Sequence, residues 1–85
     1  MLYFTISLKT PFGYADFVLN PIFIGGGGRY HVSVRDESGR SIFFNMDLKD
    51  KEWQIINAPK VPDWLMYLQT ELAAAIITHN GFDKG

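Results

Sequence analysis

The most conspicuous candidate for chemistry in this chain is a run of four glycines, Gly25 to Gly28, followed at once by Arg29. Glycine-rich turns hold phosphate when they open directly into a helix, because the helix amides and dipole then face the anion, usually with a lysine and a hydroxyl nearby. Here the glycines lead into Arg29-Tyr30-His31-Val32, whose alternation is that of a strand. The expected structure is therefore a mobile hairpin loop. Its chemical alternative is a small ligand binder or enzyme, with Gly25–Gly28 acting as a lid over His31 and Arg35 or as an anion-binding turn with Arg29.

Other constellations are sparser. His31 and His79 are the only histidines and there is no cysteine, so a metal site would have to recruit Asp or Glu from elsewhere, and nothing spaces the two histidines as a chelate. No metal and no cofactor is expected. His79 suits the C-terminal end of a helix dipole, and His31 an outward strand position. Ser33, Ser41, His31 and Asp47 supply the letters of a nucleophilic triad without a nucleophile-elbow pattern. Asp47, Asp50 and Glu52 alternate with Lys49 and Lys51, as in a solvated turn, where a carboxylate lacks the burial that would raise its pKa for acid catalysis. The chain is not expected to be an enzyme.

These residues must be placed by strands. Residues 2 to 8 alternate strictly, with Leu2, Phe4, Ile6 and Leu8 on one side and Tyr3, Thr5 and Ser7 on the other. Pro11 and Gly13 mark a turn, and a short second strand over 15–20 is expected to end at Pro21. Residues 29–35 and 41–47 alternate again across Asp36-Glu37-Ser38-Gly39, with Tyr30, Val32, Val34, Ile42, Phe44 and Met46 inward. A last strand spans 52–57, with Trp53 and Ile55 inward. Connections this short force antiparallel neighbours.

A single helix is expected over about 62–79. Pro62 suits its first turn, Asp63 complements its dipole, and Asn80-Gly81 stops it. At 100° per residue, Trp64, Leu65, Leu68, Leu72, Ala75, Ile76 and His79 form the core-facing arc, adjoined by Met66, Ala73 and Ile77. The fold class is α+β: one domain over 1–85, a four- to five-stranded antiparallel meander with one C-terminal helix on one face. Phe82 to Gly85 is expected to fray.

The apolar arc of the helix is wider than one sheet face needs, and 47% of the 85 residues are hydrophobic. A chain this short encloses only a modest core, so burial between copies is the simplest resolution. A homodimer is expected, with Met66, Ala73 and Ile77 as the dimer or protein-partner surface. The 8 basic and 9 acidic residues balance, which removes long-range steering towards nucleic acid or membrane. The first residues carry no basic leader and no stretch long enough to span a bilayer, and the expected location is the cytoplasm.

The opposite sheet face carries Tyr3, His31, Arg35 and Phe43 together with Lys9, Ser33 and Asn45. Aromatic plates with nearby cations hold single-stranded nucleic acid on sheet surfaces. That is the alternative function to a non-enzymatic, homodimeric interaction or binding module.

The segment YHVSVRDESGRSIFFNMDL, the W-x-I strand and the PDWL helix start resemble small bacterial single-domain proteins of unknown function over nearly the whole chain. The sheet-then-helix order is similar to that of Whirly and Pur modules. That resemblance implies single-strand binding and dimerisation, although none of their motif residues is present.

Overall fold

The computed structural model describes residues 3–24, 27–56 and 60–80. Five strands, β1 (Phe4–Thr10), β2 (Gly13–Ile24), β3 (Gly27–Arg35), β4 (Ser41–Lys49) and β5 (Glu52–Ile56), are followed by α1 (Asp63–Met66) and α2 (Gln69–Asn80). The strands pair in chain order as one antiparallel sheet, so the α+β meander expected from the alternation is the fold, with β1 and β5 as its edges.

The strand phases follow the alternation. Phe17, Leu19, Tyr30, Val32, Val34, Phe44, Met46 and Ile55 are buried on the inner face, where Val61, Leu65, Leu72 and Ile76 meet them. Burying that many large side chains, each at about 1.5–3 kcal/mol, is what holds the two layers together.

Several boundaries differ from expectation by a few residues, as where β1 runs on to Thr10, β2 starts at Gly13 and β4 ends at Lys49, and three differences bear on the packing. β2 continues through Pro21, which lies opposite Tyr30. Proline lacks the N–H for a ladder bond, yet the pairs on either side of it, Asn20 with His31 and Ile22 with Arg29, hold the strand extended. Gly27 and Gly28 are not loop but the start of β3, paired with Ile24 and Phe23. A Cβ on Gly28 would stand 3.0 Å from Cη2 of Trp53, so this glycine seats the indole on the inner face. The other two glycines of the expected mobile loop, Gly25 and Gly26, lie outside the described residues, as do Leu2, Asn57 and the expected frayed tail over Phe82–Gly85.

The third difference is that the helix is two pieces. The Leu68 N–H bonds the Leu65 carbonyl at 2.9 Å, three residues back, and this tightened turn separates α1 from α2. The pattern of apolar residues runs through the break, so periodicity alone does not show it. α2 then crosses the strands rather than lying along them. Its first residue, Gln69, accepts a hydrogen bond from the Ile55 N–H on β5 (2.9 Å), and His79 near its end stacks on Phe4 of β1 at 4.0 Å. Ten residues of helix span about 15 Å, close to the roughly 19 Å width of five strands.

The β4–β5 connection is strained. Lys49 pairs with Glu52, leaving Asp50 (φ 51°) and Lys51 (φ 68°) as turn residues with positive φ, as a type I′ hairpin turn requires. A side chain in that region costs about 1 kcal/mol that glycine avoids. Lys51→Gly is accordingly expected to raise stability by about 0.5–1 kcal/mol, read as a shift of the urea midpoint with an unchanged slope.

Candidate functional site

The outer face is uncovered, and its residues form cross-strand rows. Asn20, His31, Asn45 and Ile56 align in one row, Val18, Ser33 and Phe43 in the next, and Ile22, Arg29, Asp47 and Gln54 in a third. His31 stacks on Phe43 with ring centroids 5.7 Å apart and planes 9° from parallel. Its Nδ1 lies 3.0 Å from Asn45 Oδ1, which fixes the ring's orientation across the strands. Phe43 and Tyr3 remain more than half exposed.

Electrostatically this face cancels itself. The Arg29 guanidinium grips Asp47 with two hydrogen bonds, Nε to Oδ1 at 2.6 Å and Nη2 to Oδ2 at 2.8 Å, so it is not free for an anion. That grip holds the Asp47 carboxyl below its usual range. A depressed folded pKa contributes stability that is present above the unfolded carboxylate value of about 3.9 and is lost as pH falls through the folded value. Because the Arg29 side chain is 42% exposed and solvent screens the pair from that side, Asp47→Asn is expected to cost at most about 1 kcal/mol at neutral pH. The difference from the native chain should shrink as pH falls below the unfolded carboxylate value of about 3.9 and close as the folded Asp47 takes up its proton, as measured by urea melts at several pH values.

Arg35 lines a cleft of about 570 Å³ with Tyr14, Val18, Phe43, Asp16 and Asp36. The two carboxylates offset its charge, and Asp36 is itself held ionised by the Ser38 hydroxyl and the Arg40 and Ser38 amides of the β3–β4 turn. His31 is not in this cleft. Arg35 stands roughly 26 Å along β3 from Gly27, at about 3.3 Å per residue, so a lid at the glycine hairpin would not cover Arg35. Among the described residues, no group of three His, Asp or Glu side chains is placed to hold a metal.

The inner side shows what the sequence reading did not single out. Phe4, Ile6 and Leu8 of β1 are only half-buried, and beside them runs a groove of about 510 Å³ walled by Ala74, Ala75 and Thr78 of α2. On the helix's other flank, Ala73 and Ile77 share a smaller groove of about 230 Å³ with Trp53 and Gln69, and Ile77 is 55% exposed. Met66 does not line that groove; it is half-buried against the core. The expected partner surface of Met66, Ala73 and Ile77 is therefore divided, because the break after α1 turns Met66 towards the core. The strict alternation of β1 is the signal that pointed to its apolar inner row. Only the path of α2 reveals that the row is left partly open.

Comparison with protein-family models, with curated proteins and with solved structures returned no match. The likeness to Whirly and Pur modules is accordingly one of element order. No helix among the described residues is long and apolar enough to cross a membrane.

The two sheet edges are also unequal. On β5 the outward Ile55 amide is capped by Gln69, whereas from Phe4 to Lys9 no hydrogen bond among the described residues reaches β1 other than those of its ladder with β2. Gln69→Leu should leave the part-buried Ile55 N–H without its acceptor, at about 1–3 kcal/mol, and expose that amide to faster hydrogen exchange. Unchanged exchange at Ile55 would show that the cap is not formed.

Proposed function

We propose that this protein is a non-enzymatic interaction module that works as a homodimer. The observation that supports it best is the open part of the inner face. A sheet in water covers its apolar row with a helix, yet here α2 crosses so that Phe4, Ile6 and Leu8 are only partly buried beside a groove walled by Glu71, Ala74, Ala75, Thr78 and His79 of the helix. Covering that strip removes apolar surface from water at about 25 cal/mol per Å², and a copy of the chain is the partner always present at matching concentration. Catalysis has no comparable support: among the described residues the titratable groups with displaced pKa values, Arg29, Asp36 and Asp47, are tied up in surface pairs and turns.

Light scattering at micromolar concentration tests the dimer. The expected mass is twice the 9.7 kDa of the chain, and a mass of 9.7 kDa that persists as concentration rises rejects the reading.

A second reading, single-stranded nucleic-acid binding on the outer face, is favoured by the parallel His31–Phe43 plates beside exposed Tyr3. The pairing of Arg29 with Asp47 weighs against it, since it removes a cation from that face. Titration of labelled oligonucleotides at low salt decides: binding that weakens with Tyr3→Ala and Phe43→Ala supports the reading, and no binding ends it.

A further inference from the structure

Resting on the homodimer reading, we propose that the two copies join through β1, each pairing antiparallel with its twin across a twofold axis at Ile6, so that two five-stranded sheets become one of ten. The edges of the sheet decide which strand is used. Exposed edges template further pairing unless they are capped, bulged, interrupted by proline or charged. β5 is capped by Gln69. β1, FTISLKT, has an unbroken register against β2, no proline, and a single charge, Lys9, near one end.

Its sequence is also complementary to itself. Antiparallel pairing about a residue keeps inner residues opposite inner residues. About Ile6 it sets Ile6 against Ile6 and Phe4 against Leu8 twice over, while Thr5 meets Ser7 on the outer face. Shifting the axis to Ser7 would place Phe4 opposite Thr10 and lose an apolar pair, which favours the first register. Each Lys9 then faces Tyr3, and the two lysines stand about 20 Å apart, beyond the roughly 8 Å over which charges interact at physiological salt. The apolar strip of Phe4, Ile6 and Leu8 becomes continuous across the axis. Ala74 and Thr78 wall it on each side, which gives the groove its occupant without a third protein.

The chain has no cysteine, so introduced thiols report cleanly. Ile6→Cys is expected to form a disulfide-linked dimer on mild oxidation, because residues on the axis lie about 5 Å apart between Cβ atoms; Thr5→Cys, about 8 Å from its twin, should not. Since truncating Ile6 also touches the core, a second variant uses exposed positions only. Thr5→Lys with Ser7→Lys sets lysine opposite lysine on the outer face and should weaken dimerisation at least tenfold, with an unchanged circular dichroism spectrum. A native dimer that ignores both lysines and cross-links instead through Ile77→Cys overturns the β1 interface and leaves the homodimer standing. A native chain that stays monomeric overturns both.

Discussion

Leu72→Ala is expected to destabilise the protein by about 2–5 kcal/mol, and Ile77→Ala by less than about 1. The two residues lie on the same helix a little over one turn apart. Leu72 is wholly buried between α2 and the sheet, whereas Ile77 is 55% exposed. Truncating Leu72 loses its transfer energy and leaves a cavity that the close-packed interior fills poorly. Against a total stability of about 5–15 kcal/mol for a domain of ordinary size, such a loss moves the unfolding midpoint by much of its range. Urea melts followed by circular dichroism measure both variants, and equal midpoints would mean that α2 packs by a different face. A small effect at Ile77 has a further use: it leaves a folded chain in which the second helix flank can be tested as a contact surface.

A matching contrast holds across the sheet. Phe17→Ala should cost about 3–5 kcal/mol, and Phe43→Ala no more than about 1.5. Phe17 is fully buried on the inner face, while Phe43 is 58% exposed on the outer one, where its main partner is the His31 ring. The Phe43 estimate is the worth of an aromatic pair on an open surface, without a cavity term. Reversed magnitudes would place the layers on the wrong sides of the sheet. If Phe43→Ala proved nearly neutral for stability yet abolished oligonucleotide binding, the second functional reading would displace the first.

Much of this architecture was legible because a strand's side chains alternate with period two. Phe17 and Leu19, Val32 and Val34, and Phe44 and Met46 are buried where that period puts them, and His31 and Phe43 lie on the other face. The turns were legible where glycine or aspartate marks them, as at Gly39 (φ 88°) and at Asp36, whose carboxylate collects the amides of its own loop. They were less legible at Asp50-Lys51, where non-glycine residues accept positive φ because the register on both sides demands it. Pro21 and the Gly27–Gly28 pair misled for a related reason. Local propensity marks them as breakers, but pairing with a neighbouring strand holds them extended.

The sequence by itself determined that this chain makes an antiparallel meander followed by helix, and which side of each strand is oily. Those properties are carried by residues two, three or four positions apart, and local geometry is enough to express them. Only the tertiary structure decided that α2 crosses the strands from Ile55 to Phe4, that Gln69 caps the β5 edge, that Met66 parts from Ile77, and that Arg29 is spent on Asp47. Apart from the local break that separates Met66 from Ile77, these contacts join residues 14 or more positions apart, and their distances are set by strand register and by how one layer is rotated on another. That rotation follows from how many side chains pack at once, and no local repeat records it.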